Sequence, residues 1–351
     1  MDSRGAPVDY SGASAYIYAK VCSLVSKAYV GENAVRLFNA KSLSELWDVL
    51  FSVPCPQVPE QILANKIENQ AVDTFISDYT ALLQLYSKPD PFLVELLRRY
   101  EVTNIKVMSA ALSLGEQEIP RTVNLGKYEL LNYSAWPDMK KITENSNFPW
   151  YDHVPSPEER QQMDYRLDLQ EIRTLWKYVT KVSDSSRNAL VGYFTEDYRI
   201  KNMLWALRLK IYYQMPNDEI VKNLFYISDE PSVNDPLCSS AVEILDKAPD
   251  NYSDWKKWRY ASYLNPYEEG HLWSVDPMWI EQKLRIGEVK KIKKLLHQNP
   301  LTYASLVMYF RIKLQELNSI RAATEALRLN AEKSEAMYVA GISASMLNGG
   351  Q

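Results

Sequence analysis

One pattern recurs along the chain and restricts what it can fold into. Tyr193-Phe194 is followed after seven residues by Asn202, and Tyr309-Phe310 is followed after seven residues by Asn318. Each copy is preceded by an amphipathic segment (Leu167–Val182 and Trp279–Leu296) and continues into an Arg-Leu pair (Arg208-Leu209 and Arg328-Leu329). A weaker first copy lies in residues 93–112, where Leu96 stands eight residues before Asn104. Such self-similarity implies one supersecondary unit used three times, about 100 to 115 residues apart, each burying an apolar face on its neighbours.

The unit is helical. Ile200, Leu204, Leu207 and Ile211 fall at i, i+4, i+7 and i+11, and Phe310, Leu314 and Leu317 repeat that stripe. This spacing puts one apolar face on a helix. Strand-like alternation is rare. Only 11 of 351 residues are glycine. A scarcity of glycine leaves few left-handed turns and no glycine-rich phosphate cradle. The 24 Tyr and 9 Trp suit helix seams that end at a wet rim. The expected class is all-α.

Helix starts are written in the sequence. Ser42-Leu-Ser-Glu45 and Ser156-Pro157-Glu158-Glu159 are capping boxes, in which a hydroxyl accepts from the third backbone N–H while the Glu reaches back. Asp276-Pro277 and Asn299-Pro300 read as cap-plus-proline starts. Asn217-Asp218-Glu219 places acids at the positive end of a helix dipole. Pro54-Cys-Pro-Gln-Val-Pro59 cannot be helical throughout. Residues 134–157, with Pro137, Pro149, Pro155 and Pro157, and residues 227–237 read as links. The chain is expected to divide into helical repeats at 1–140, 141–250 and 251–345, with 346–351 a frayed tail.

Several functions lose their support. No stretch of eighteen residues lacks Asp, Glu, Lys and Arg, so no transmembrane helix is expected, and Met1–Pro7 is not a signal peptide. Cys22, Cys55 and Cys238 fit neither a disulfide framework nor a zinc spacing, which points to a reducing compartment. A net charge of −4 argues against nucleic acid. No phosphate-loop motif, dinucleotide fingerprint or H-E-x-x-H occurs, and His153, His271 and His297 are far apart. No cofactor, metal or catalytic residue is expected.

The order of short motifs resembles the C (or d) subunit of rotary A/V-type ATPases, in a bacterial-like form. The helix Tyr16-Ile-Tyr-Ala-Lys-Val-Cys-Ser-Leu24 and the segment Leu37–Leu50, with its Ser42-Leu43 helix start, are similar to that family's opening. Glu101-Val-Thr-Asn104-Ile-Lys106 matches its acid, apolar, any, Asn, apolar, basic pattern. Tyr198-Arg-Ile-Lys-Asn202-Met-Leu resembles the second occurrence. Glu316-Leu-Asn-Ser319-Ile-Arg321 resembles the third, with Ser319 where Asn is usual. The likeness runs from about Tyr16 to Met337.

The resemblance implies three similar helical domains arranged with pseudo-threefold symmetry as a funnel. It implies a non-catalytic central-stalk adaptor, one copy per complex. That adaptor seats the central-shaft subunits on the membrane rotor ring of proteolipid subunits, and passes torque between ATP hydrolysis or synthesis and ion translocation. Its place would be peripheral, on the cytoplasmic face, touching the membrane through the ring. The competing reading is a helical-repeat interaction scaffold unrelated to a motor.

Within that frame the candidate shaft contacts are Asn104, Lys106, Lys201, Asn202, Arg208, Asn318 and Arg321. Lys201 and Arg208 share a helix face and would meet an acidic part of a shaft. Asn is a weak helix former, so each recurring Asn either bonds a neighbouring element or meets the shaft. The basic run Glu288-Val-Lys-Lys-Ile-Lys-Lys294 is either a solvated face or a contact for anionic headgroups.

Overall fold

The computed structural model describes residues 10–342, and the expected tail at 346–351 and the Met1–Pro7 opening lie outside them. In chain order the helices are α1 (Tyr10–Lys27), α2 (Leu43–Leu50), α3 (Glu60–Leu83), α4 (Pro91–Ser113), α5 (Met139–Thr143), α6 (Pro157–Val179), α7 (Arg187–Tyr212), α8 (Asn217–Lys222), α9 (Ser239–Glu243), α10 (Tyr252–Trp255), α11 (Pro277–Gln298), α12 (Ala304–Leu329) and α13 (Lys333–Val339). A 3-10 stretch, Gly31–Asn39, joins α1 to α2. No strand occurs among the described residues. The all-α class expected from the sequence is what is seen.

The long helices form three hairpins, α3–α4, α6–α7 and α11–α12, with turns of seven, seven and five residues. Their starts follow the sequence signals. Ser156 accepts from the Glu159 N–H while the Glu159 carboxylate accepts from the Ser156 N–H, and Asp276 accepts from the N–H groups of Met278 and Trp279. Two signals act differently. Glu45 reaches past Ser42 to the Lys41 N–H. Asn299 ends α11 rather than starting α12, because its side chain turns back to donate to the Leu295 carbonyl. The helix resumes only at Ala304.

The three turns are fastened to one another. Asp90 caps α4 with one oxygen, accepting from the Phe92 N–H, and accepts from the Ser183 hydroxyl at 3.1 Å with the other. Asp184 accepts from the Tyr303 N–H at 2.6 Å. The Tyr303 ring stands edge-on to Tyr86 at 5.2 Å, which returns to the first turn.

Next to the turns the hairpins share one apolar core. Phe310 lies 5.0 Å from both Phe75 and Tyr79, and Phe92 lies 5.4 Å from Phe194, all in edge-to-face geometry. Leu175 and Val179 of α6, Ile292 and Leu296 of α11, and Ile17 and Val21 of α1 complete it. Beyond this core each hairpin has an apolar cluster of its own. Ile105 and Met108 of α4 pack under residues 131–151, Met203 and Ala206 of α7 under residues 220–275, and Ile320 and Ala323 of α12 against residues 34–71. These pairs stand one and four residues after Asn104, Asn202 and Ser319. The burial register of the repeat therefore runs through Ser319, which is 3% exposed, and not through its exposed neighbour Asn318.

Residues 134–157 do not hang free as a link. Prolines break the helix there, but Ile142, Phe148 and Tyr151 are buried against α4. The Tyr151 hydroxyl bonds Ser109 at 3.0 Å. Residues 227–237 are likewise held, as the next section describes. The far end of α12 is covered by the beginning of the chain, where the Tyr29 N–H donates to Glu316 at 2.8 Å.

Candidate partner-binding site

The recurring asparagines act as staples. Asn104 Oδ1 accepts from the Val123 N–H at 2.8 Å, and its Nδ2 donates to the Val123 carbonyl at 2.8 Å and to Tyr133 Oη at 2.6 Å. Asn202 repeats the arrangement: Oδ1 accepts from the Phe225 N–H at 2.9 Å, while Nδ2 donates to the carbonyls of Phe225 at 2.7 Å and Leu237 at 2.9 Å. In both, a side-chain amide pairs with the two backbone groups of one residue in the returning segment. A carboxamide is suited to this because it carries a donor and an acceptor side by side. Both residues are essentially fully buried, so neither offers its amide to a partner. Between the two readings left open by the sequence, the hydrogen-bonded one describes them.

Three of the expected contact cations form a cycle of ion pairs between hairpins. Lys106 of α4 meets Asp168 of α6 at 2.7 Å, Arg208 of α7 meets Glu281 of α11, and Arg321 of α12 meets Glu68 of α3 at 3.1 Å. Pairs this exposed contribute little stability each, about 0–1 kcal/mol, but they set which helix faces which.

Lys201 and Asn318 reach a different place. They line a cleft of about 460 Å³ between α7, α11 and α12, with Arg99 of α4 at its side. It lies at the edge of the shared core, where Arg311 follows Phe310. Its floor is a charged network. Arg311 donates to Tyr193 Oη at 2.7 Å, to Asp197 at 2.8 Å and to Glu288 at 2.9 Å. Gln315 donates to the second oxygen of Glu288 at 2.7 Å, and Lys201 pairs with the second oxygen of Asp197 at 2.9 Å. Burial alone would raise the Asp197 carboxyl, but Arg311 and Lys201 outweigh it and hold it at about 2. Arg311 remains charged although it is only 5% exposed.

Both signs of charge line the cleft, five bases and four acids. In the Lys201–Asp197 pair the base is the more exposed side chain, 45% against 14%, whereas the Arg311 side chain is more buried than Asp197 and Glu288. No His/Cys/Asp/Glu cluster suited to a metal ion occurs among the described residues. The arrangement is a mixed-charge cleft with a hydrogen-bonded floor.

Arg311 was not singled out by motif reading. The signal available was a guanidinium inside Leu306-Val-Met-Tyr-Phe-Arg311-Ile312, an otherwise apolar run that is buried throughout.

The sequence has relatives among known proteins. An uncharacterized protein of Treponema pallidum (strain Nichols) is 25% identical over 342 residues, which is 95% of this chain and 99% of the relative. The sequence profile of the family described as ATP synthase (C/AC39) subunit matches residues 17–337. The match spans both the hairpins and the N-terminal segment that covers α12. The chain belongs to the ATP synthase C/AC39 subunit family, the non-catalytic C and d subunits of A/V-type rotary ATPases.

Proposed function

We propose that this chain is the rotor adaptor of an A/V-type ATPase. Three hairpins tied at their turns and parted at their far ends make a pseudo-threefold funnel, corresponding roughly to the divisions 1–140, 141–250 and 251–345. The cleft between them receives the end of the central shaft. The closed end rests on the proteolipid rotor ring at the cytoplasmic face of the membrane, one copy per complex, and the subunit couples ATP hydrolysis or synthesis to ion translocation. The observation that carries this reading is a polar cleft between α7, α11 and α12 over the buried, hydrogen-bonded Arg311 network. A torque-bearing socket needs close-packed walls that transmit strain.

The test is binding of the purified chain to the purified central-shaft subunits. Wild type should bind them. Lys201→Glu with Asn318→Glu should weaken binding at least tenfold while leaving the thermal transition in place. Unchanged affinity would remove the cleft from the interface, and ATP turnover by the isolated chain would end the adaptor reading.

A further inference from the structure

Gly287 stands halfway along α11, a helix of 22 residues. Inside a helix, glycine is the least favourable residue after proline. Three circumstances commonly offset that cost, and none holds here. Its φ does not lie in the left-handed region, where those of Gly31, Gly115, Gly126, Gly270 and Gly341 do. The helix neither ends nor breaks at it, but runs on to Gln298. A Cβ added at Gly287 would meet nothing within 4 Å among the described residues, so no neighbouring element there needs the room. At Gly341, by contrast, an added Cβ would lie 2.8 Å from Cγ of Arg285.

Gly287 faces the cleft. Leu284, Gly287 and Lys291 fall at i, i+3 and i+7 of α11, so they share one helix face, and all three line the cleft. Ile200 of α7 and Leu314 of α12 line it as well. Leu284, Ile200 and Leu314 are half-buried, each packed on an apolar cluster and still partly exposed. The missing side chain at Gly287 is therefore a notch in a wall that also carries apolar surface. A glycine on a helix lets another group come up to the backbone itself, because no Cβ intervenes.

We infer that Gly287 is the point of closest approach between this chain and the central shaft, a notch in α11 that receives an apolar side chain of the shaft. The inference deepens the adaptor reading and rests on it for the identity of the occupant. An apolar side chain is favoured over a charged one by what the cleft has left to offer. Arg311, Asp197, Glu288 and Lys201 are already bonded within the cleft wall, and Gln315 with them. The exposed parts of Leu284, Ile200 and Leu314 are not so engaged. A glycine kept open for a partner has a signature that a structural glycine lacks. Filling it should strengthen the free chain and weaken the complex.

The experiment compares Gly287→Ala and Gly287→Leu with Gly192→Ala, reading thermal unfolding of the free chain and its affinity for the purified central-shaft subunits. Gly192 lies inside α7 and also has nothing within 4 Å of an added Cβ among the described residues, but it does not line the cleft. Both alanine variants should raise the thermal midpoint, by about 1–3 °C in a chain of this length. Only Gly287→Ala should lose affinity, about fivefold, and Gly287→Leu should lose about a hundredfold while keeping the wild-type circular dichroism. Unchanged affinity in Gly287→Leu, or equal losses in Gly192→Ala and Gly287→Ala, would overturn the inference. So would a lowered midpoint in Gly287→Ala, which would mean that the chain itself fills the notch. Self-association of the free chain that Gly287→Leu abolishes, with shaft binding untouched, would give the notch to a second copy and overturn it too. Wild type that binds no shaft would end the adaptor reading and this inference together. Wild type and Gly287→Leu binding the shaft equally would leave the adaptor role standing and remove only the notch.

Discussion

Arg311 on α12 reaches Asp197 on α7 at 2.8 Å across the floor of the cleft, with almost no solvent on the guanidinium. The contact joins the second helices of two hairpins beside Phe194 and Phe310 of the shared core. Glu288 on α11 accepts from the same nitrogen, so a single cation holds two acids from different hairpins.

Removing that cation should be costly. Arg311→Met leaves Asp197 with Lys201 alone and Glu288 with only the Gln315 amide, and should destabilise the fold by about 3–5 kcal/mol. Urea unfolding at neutral pH measures this. Adding Asp197→Asn and Glu288→Gln to Arg311→Met should recover much of the loss, because the uncompensated charges are then gone.

The same network sets an acid-side signature. Asp197 is held at about 2 in the folded state, below its ordinary 3.8. Its contribution is present above the ordinary value and is lost as pH falls through that range toward 2. Wild type should lose stability between pH 4 and 2 more steeply than Asp197→Asn, as read by urea midpoints at each pH.

Two other carboxyls act in the opposite direction. Burial pushes Glu95 and Glu101 up to about 7, Arg98 offsetting part of it for Glu95, and the Leu130 N–H and Arg98 for Glu101. Each has one oxygen without a hydrogen-bond partner. Their folded values lie above the ordinary 4.5, so their contribution is greatest at low pH and is lost as pH rises through about 7. Glu95→Gln should flatten stability between pH 5 and 8 and raise it at pH 8, by up to about 3 kcal/mol. A wild-type curve already flat over that range would contradict the assignment.

Asn202→Ala should cost about 2–3 kcal/mol, since it removes the side-chain partner of the Phe225 N–H and of the Leu237 carbonyl and leaves the Phe225 carbonyl only the weak Cys238 thiol. Asn104→Ala should cost a similar amount. Hydrogen exchange should show the loss locally, in residues 223–238 for the first variant and 121–133 for the second. Protection lost evenly over the chain would mean that the staples do not act on single segments.

The parts of this fold that are legible in the sequence are those that residues close together determine. Ser156 and Asp276 mark helix starts because capping needs only three or four neighbours. The stripe through Ile200, Leu204 and Leu207 shows because a helix repeats every 3.6 residues. The resemblance, carried by Asn104, Asn202 and Ser319, gave the family. What was hidden depends on distant partners. Nothing near Arg311 reveals that Asp197 lies beside it, 114 residues away. Residues 134–157 read as a link because their prolines are visible, whereas the burial of Phe148 and Tyr151 on α4 is not. Lys201 and Arg208 sit on one helix face as expected; Lys201 lines the cleft and Arg208 pairs with Glu281 at its wall, a partner 73 residues away that the sequence does not reveal.

The cover over α12 is supplied by residues 29–71, whose backbone meets Glu316 across 287 positions. During synthesis those residues leave the ribosome well before their mate. The growing chain must therefore keep Leu37, Leu46 and Ile67 waiting without a permanent lid until α12 has been made. Synthesis of α12 and closure of this cluster become one event, and a chain truncated before α12 leaves residues 29–71 uncovered.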